Sequence, residues 1–296
     1  MAIAWVFPGQ GSQKAGMADG VLELPGAAER FERASTLLGR DLRAICAGTA
    51  TGDLADLHDT RNTQPALFVV ESLLVDALRA QGRHPDLVAG HSLGELVALY
   101  AAGVFDADTG LRLMQIRSEL MADAGGGAMT AVMGFDRDEL ENLVDATEGV
   151  VIANDNSAAQ VVLSGTPAAV AEVSATLRCK RAVPLAVSGA FHSPWMAGPA
   201  AAFADALESV PFADAAIPVL SNTDPTPATS GAILKERLRH QMTTGVRWRE
   251  TMAAFAGAGI STAVEIGPGS VLSGLIKRGC DGIGTAQIAA AADLGL

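Results

Sequence analysis

Basic residues, aromatic residues and cysteines are all scarce in this chain of 296 residues, and each shortage excludes something. Lysine and arginine total 21 against 33 aspartates and glutamates, a formal net charge of −12. That charge argues against non-specific nucleic-acid binding. An acidic partner would need a local basic patch, and Arg178, Lys180 and Arg181, with Lys277 and Arg278, are the candidates. The three cysteines, Cys46, Cys179 and Cys280, have neither disulfide nor zinc spacing, so a reducing compartment and no metal are expected. No apolar run approaches the roughly 18 residues of a membrane span. The best candidate, residues 66–78, is interrupted by Glu71 and Asp76. The N-terminus lacks the basic-then-apolar layout of a signal peptide. A cytoplasmic protein is expected (stromal, were it organellar), away from membranes. Aromatics make up 4% of the chain while hydrophobic residues make up 49%, so the core must be mainly aliphatic and alanine-rich.

What is abundant is the alternation of short apolar runs with helical periodicity. Residues 2–7 form an apolar run closed by Pro8-Gly9, which predicts a buried strand ending in a tight turn. Helical spacing follows over 27–38, then a polar, loop-rich stretch, then a long helix over 64–81 with Pro65 in its first turn. Residues 87–89 predict a strand, with helices over 93–102 and 108–122. Gly125-Gly126-Gly127 breaks the pattern as a hinge would. Strands at 129–133, 150–153, 160–163 and 182–187, with helices at 137–146 and 168–177, give the order β-α-β-β-α-β of a ferredoxin-like unit. Helices at 196–210, 232–242 and 247–258 and strands at 217–220 and 262–266 follow, then a short helix to Lys277. The fold class is therefore α/β. A hydrolase-like large subdomain with a mainly parallel sheet, residues 1–127 and 189–296, carries an inserted ferredoxin-like subdomain, residues 128–188.

Chemistry concentrates at Gly90-His91-Ser92-Leu93-Gly94-Glu95, which fits the G-x-S-x-G nucleophile elbow: strand, strained turn with serine at the apex, helix. The N–H groups opening that helix can bind a developing oxyanion. The alternative is that Ser92 only caps the helix. A serine hydroxyl needs a base, and the chain has five histidines. His58, His84 and His240 lie in polar or helical surroundings. His91 points away from its neighbour on the turn and shapes the pocket or packs beneath it. His192, in Gly189-Ala190-Phe191-His192-Ser193-Pro194 where the inserted unit ends, is the candidate base, a packed loop histidine being the alternative. No acid stands out to orient it, since Asp136, Asp138 and Asp145 belong to a helix of the insert and Asp155 to a loop. This favours a dyad over a triad. Arg117 interrupts an apolar helix face. It is either paired with Glu119 or Asp123, or a clamp for a substrate carboxylate. The loop Phe7-Pro8-Gly9-Gln10-Gly11-Ser12-Gln13 is either a plain glycine-rich connection or a wall of the site with exposed N–H groups.

Together these motifs resemble the malonyl-CoA:acyl carrier protein transacylases and the acyltransferase domains of polyketide and fatty acid synthases. The resemblance runs from the Phe7–Gln13 loop through Thr63-Gln64-Pro65-Ala66, the elbow, Gln115-Ile116-Arg117, Asn154-Asp155-Asn156, Ala190-Phe191-His192-Ser193 and Val246-Arg247-Trp248 to Glu265-Ile266-Gly267-Pro268-Gly269. It implies Ser92 as nucleophile, His192 as base, and the backbone N–H groups of Gln10 and Leu93 as oxyanion hole. It further implies Arg117 as the malonyl-carboxylate clamp, with Gln64, His91, Asn154, Asn156 and Phe191 lining the pocket. A backbone carbonyl near Arg247 would orient the histidine in place of an acid. The implied reaction is ping-pong transfer of malonyl from CoA to the phosphopantetheine thiol of acyl carrier protein for fatty acid synthesis. The implied partners are that carrier and malonyl-CoA, a substrate, with no cofactor and a monomeric enzyme. A polyketide or malonate decarboxylase carrier, or hydrolysis by a serine thioesterase, are the alternatives.

Overall fold

Apolar alternation at the N-terminus builds the centre of the molecule. In the computed structural model, which describes residues 2–187 and 189–295, strand β1 (Ala2–Phe7) sends Trp5 and Phe7 into one apolar cluster and Ala4 and Val6 into another. Side chains that alternate in this way, buried on both sides, mark a strand sandwiched between two helical layers. Helices α1 (Ala27–Leu38), α2 (Leu42–Ala47) and α3 (Thr60–Ala80) follow. Then come β2 (Leu87–Gly90), α4 (Gly94–Ala101) and α5 (Ala107–Asp123).

The chain next forms a second sheet from β3 (Ala128–Phe135), β4 (Val150–Ser157), β5 (Gln160–Gly165) and β6 (Cys179–Pro184), with helices α6 (Arg137–Ala146) and α7 (Pro167–Thr176). It returns through α8 (Ala197–Glu208), β7 (Val219–Leu220), α9 (Gly231–His240) and α10 (Trp248–Gly257). Strand β8 (Ile260–Ile266), helix α11 (Val271–Gly279) and strand β9 (Gly284–Ile288) complete the described elements.

The first sheet has the order β7-β2-β1-β8-β9, and every pairing in it is parallel. The second has the order β4-β5-β3-β6 and is antiparallel throughout, the ferredoxin-like arrangement. One face of the second sheet packs Val132, Val161 and Leu163 against Leu140, Val170 and Val173 of its two helices. Its other face turns Met129, Ala131 and Val162 toward a cleft beside the first sheet. The sheets meet at one strap: Val246 N–H donates to the Ala153 carbonyl at 2.8 Å, and Asp155 N–H donates to the Val246 carbonyl at 2.9 Å. The Asp155 carboxylate accepts from Arg249 of α10 at 2.9 Å and Arg137 of α6 at 2.8 Å. The expected termini of the two units at 1, 188 and 296 lie outside the described residues.

Five elements depart from expectation. Strand β4 runs on to Ser157, so Asp155, expected in a loop, lies within it, paired with Val161 of β5. Helix α3 starts at Thr60 and not at Gln64, because Asp59 caps it by accepting from Arg61 N–H at 2.8 Å. Pro65 therefore lies inside the helix, where its missing N–H orphans the Arg61 carbonyl. Arg40 fills that vacancy, donating to the carbonyl at 2.8 Å. The strand expected at 182–187 sits earlier, at Cys179–Pro184, in register with β3, while Leu185, Ala186 and Val187 line the cleft. Helix α2 arises in a stretch read as loop-rich, held by the Asp41 side-chain cap on Ala44 N–H at 2.9 Å, and strand β9 lies beyond the last element expected from sequence. Among the described residues no helix is long and apolar enough to cross a membrane.

Replacing Arg40 by methionine strands the Arg61 carbonyl, and the expected loss is about 1–3 kcal/mol, read as a lower denaturant midpoint. Adding Pro65→Ala gives that carbonyl its N–H back, so the double variant should be less destabilised than the sum of the single variants. Simple additivity would contradict this account.

Candidate active site

The carboxyl ends of parallel strands are where open α/β sheets gather their functional loops. Here the ends of β1, β2 and β7 converge: Gly9 and Gln10 follow β1, Ser92 follows β2, and Asn222 follows β7. The chain enters α4 so tightly that a Cβ on Gly94 would lie 2.2 Å from the Phe7 carbonyl oxygen. One on Gly90 would lie 1.9 Å from the Gly94 carbonyl carbon. Only glycine fits at either position. Between them Ser92 takes φ = 54°, and His192 takes φ = 56°; no other described residue except glycine has positive φ. Such conformations typically cost about 1–3 kcal/mol and persist only where the surroundings enforce them.

At Ser92 the enforcement comes from Asn222. Its Oδ1 accepts from Ser92 N–H at 2.7 Å and its Nδ2 donates to the Gly90 carbonyl at 2.5 Å, so one amide spans the turn. The N-cap of α4 is Leu93, and no side chain caps the helix; the hydroxyl of Ser92 goes elsewhere. It lies 2.7 Å from His192 Nε2. His192 Nδ1 lies 2.9 Å from the carbonyl of Gln241, so Nδ1 carries the proton and Nε2 presents its lone pair to the serine. The orienting carbonyl is thus that of Gln241, which corrects the expectation at Arg247. The Arg247 carbonyl faces into α10, accepting from Thr251 N–H at 2.9 Å, and its side chain pairs with Glu250. A residue at the N-cap turns its carbonyl into its own helix, leaving nothing for a neighbouring ring.

Arg117 of α5 and Gln64 of α3 meet beneath the serine, both buried. Arg117 Nη1 donates to Gln64 Oε1 at 2.7 Å, and Nη2 donates to Gln241 Oε1 at 2.9 Å and to Ser92 Oγ at 3.2 Å. Neither Glu119 nor Asp123 is its partner: Glu119 accepts from Gln115 at 3.2 Å and Asp123 from Arg61 at 2.8 Å. Among the described residues Arg117 makes no ion pair, and its Nε has no partner. Burial lowers its pKa to about 10, opposed by the field of Glu95, so the guanidinium stays charged near neutrality. A buried cation with no carboxylate in contact is ready to accept one.

The cleft above these groups encloses about 460 Å³. Gln10, Gln64, His91, Leu93, Asn154, Asn156, Phe191 and His192 line it, so all the expected pocket residues except Arg117 and Arg247 face the cavity, and Arg117 lies buried behind Ser92 with its Nη2 3.2 Å from the serine hydroxyl. The N–H groups of Gln10 and Leu93 donate to no acceptor among the described residues, whereas that of Ser92 is taken by Asn222. An oxyanion therefore finds two open donors. His91 stands against the Trp248 ring at 5.6 Å and lies 2.8 Å from Asn156 Oδ1 through Nε2. Burial lowers its pKa against the opposing effect of Asn156, keeping it a neutral donor and not a second base. Val271, Leu272 and Leu275 of α11 face Met129, Ala131 and Val162 across the cleft, giving it apolar walls for an extended chain.

Three residues of this arrangement were missed from sequence: Asn222, Gln241 and Glu95. Asn222 could have been suspected, because it follows the short strand β7 on the edge that carries the elbow. Gln241 sits in helical surroundings with no motif to single it out, and Glu95, though it ends the elbow stretch, carries no sequence sign of its contact with Gln241.

The chain matches the family model described as "Acyl transferase domain" over residues 4–295. It is 52% identical over 295 residues to the malonyl CoA-acyl carrier protein transacylase of Synechocystis sp., covering 99% of both chains. The fold matches the crystal structure of a Synechocystis sp. malonyl-CoA:ACP transacylase with a TM-score of 0.95 and 50% identity, over 100% of this chain and 99% of that one. It also matches the malonyl-transacylase PlMCAT, solved in complex with its holo type II PKS acyl-carrier protein AntF. There the TM-score is 0.91 at 35% identity, over 99% of this chain and 98% of that one.

Burial, followed by the Arg117 charge, pushes the His192 pKa down to about 3. The free enzyme therefore keeps its base neutral through the usual histidine range near 6.5. Labelling of Ser92 by a sulfonyl fluoride should show no acid limb between pH 8 and 5. Arg117→Met removes a charge that opposes protonation, so it should move the limb upward. A wild-type limb centred near 6.5 would refute the assignment.

Proposed function

The chain belongs to the acyl transferase domain family, and we propose that it moves a malonyl group from malonyl-CoA to the phosphopantetheine thiol of an acyl carrier protein. One observation carries this reading. The guanidinium of Arg117, buried and without an ion-pair partner among the described residues, lies 3.2 Å from the serine that would bear the acyl group. A malonyl ester on Ser92 would bring its carboxylate to that cation.

The reaction proceeds in two halves. Ser92 Oγ attacks the thioester carbonyl carbon while its proton passes to His192 Nε2. The oxyanion so formed takes hydrogen bonds from the N–H groups of Gln10 and Leu93. The tetrahedral species collapses, the C–S bond breaks, and the CoA thiolate leaves and takes the proton from His192. In the second half the carrier thiol gives its proton to His192 and attacks the malonyl-serine ester, the same donors hold the oxyanion, and Ser92 Oγ leaves with that proton. No step needs a cofactor. The apolar walls of the cleft would hold the pantetheine arm of either thiol, which makes the site serve CoA and carrier in turn.

We assign the carrier to fatty acid synthesis and the enzyme to the cytoplasm. Support for the pathway is the 52% identity to the Synechocystis transacylase across the full length. Support for a reducing compartment is that Cys46, Cys179 and Cys280 are all unpaired.

Mass spectrometry after incubation with malonyl-CoA tests the first half. Wild type should gain one malonyl group and Ser92→Ala none; an adduct surviving in Ser92→Ala would refute the nucleophile. Arg117→Ala removes one partner of a buried ion pair, a loss of about 3–5 kcal/mol, or on the order of a 10²- to 10⁴-fold fall in malonyl loading. Acetyl loading should suffer far less. Equal losses for the two acyl groups would remove the clamp.

A further inference from the structure

Glu95 is a fully buried carboxyl in the first turn of α4 that none of the steps above uses. Its Oε2 accepts from Gln241 Nε2 at 2.7 Å and from Asn222 N–H at 3.1 Å. The same Gln241 Nε2 donates to the Ser92 carbonyl at 2.9 Å, and Gln241 Oε1 accepts from Arg117 Nη2 at 2.9 Å. With both amide hydrogens directed at acceptors and the oxygen at the guanidinium, the Gln241 amide has one orientation available. It forms a one-residue bridge between a buried acid and a buried base.

Two facts make that bridge more than packing. Among the described residues no carboxylate makes an ion pair with Arg117, so Glu95 is the acidic group set behind it. Burial raises the Glu95 pKa, while the hydrogen bonds from Gln241 and Asn222 and the field of Arg117 oppose that rise and favour the carboxylate. Carboxylate and guanidinium, held apart by a polarised amide, attract each other, and each reduces the other's cost of burial. The negative charge reaches the guanidinium from the Gln241 side. There it subtracts from the field that Arg117 projects toward an incoming carboxylate.

We propose that Glu95 is the counter-charge of Arg117, acting through the side-chain amide of Gln241, and that it sets how strongly the site prefers a carboxylated acyl group over an uncharged one. The inference rests on the malonyl-transfer reading. An unopposed guanidinium would grip the malonyl carboxylate harder and would also push the proton affinity of His192 lower. Glu95 is thus a positioning residue that moderates the clamp while its hydrogen bonds aim it.

The test compares single-turnover loading of malonyl-CoA and acetyl-CoA in wild type, Glu95→Gln and Glu95→Asp. Glu95→Gln keeps the shape and the acceptor oxygen and removes the charge. It should raise the malonyl-to-acetyl ratio at least threefold. Glu95→Asp keeps the charge but draws the oxygen back from Gln241, so the guanidinium loses its aim and the ratio should fall at least threefold. A merely structural residue would lower both rates together and leave the ratio unmoved. An unchanged or lowered ratio in Glu95→Gln overturns the proposal. If Glu95→Gln does not fold, an unchanged ratio in Glu95→Asp overturns it. Wild type that loads no malonyl group would instead refute the function on which the inference rests.

Discussion

The backbone of Ser92 stands in the left-handed region, and much of the molecule serves to keep it there. A serine at φ = 54° is strained by about 1–3 kcal/mol. The restraint is assembled from distant parts of the chain. Gly94 lets the first turn of α4 press against the end of β1, and Asn222, carried in on β7, ties Gly90 to Ser92 with one amide. The parallel order β7-β2-β1 is what brings those three segments side by side. The strain has a chemical result: the Ser92 N–H faces Asn222 and the Leu93 N–H is left open to the cleft.

Charge is handled with equal economy. A catalytic histidine is usually steadied by a carboxylate, but here a carbonyl does it, and the nearest charge is the Arg117 cation. Burial, and after it that cation, keeps the imidazole neutral and stabilises its protonated form poorly. The chemistry tolerates this because a thiol, with a pKa near 8.5 for cysteine, leaves and enters as a thiolate far more readily than an alcohol would. The same cation that weakens the base recognises the acyl group, so selectivity and basicity are set by one side chain.

The parts of the site fixed by local chemistry were legible in the sequence. The turn that needs glycine on both sides of Ser92, the apolar alternation of β1, and the β-α-β-β-α-β order all depend on neighbouring residues. Ser92, His192, Arg117 and Gln64 also carried recognisable surroundings, though what identified their roles was the resemblance and not their spacing. What escaped depends on contacts between remote segments. The start of α3 was misplaced because Pro65 looks like a first-turn residue until Arg40 is seen to cover the carbonyl it orphans. The orienting carbonyl was assigned to Arg247 because nothing in a sequence tells which carbonyls of a loop are consumed by the next helix. Glu95 ends the elbow stretch with no role read for it, and only its burial against Gln241 shows one.

The strap that ends at Val246 has a consequence for where this protein can be cut and recombined. The segment between α9 and α10 carries the Gln241 carbonyl that aligns His192, and a few residues on it is hydrogen-bonded into β4 through Ala153 and Asp155. The Asp155 carboxylate fastens the same strand to Arg249. The functional module therefore does not coincide with either sheet. A graft exchanging the small sheet alone would break the strap that braces the segment carrying the Gln241 carbonyl, whereas one that carries the α9–α10 connection would transplant the pocket wall together with the carbonyl that orients His192.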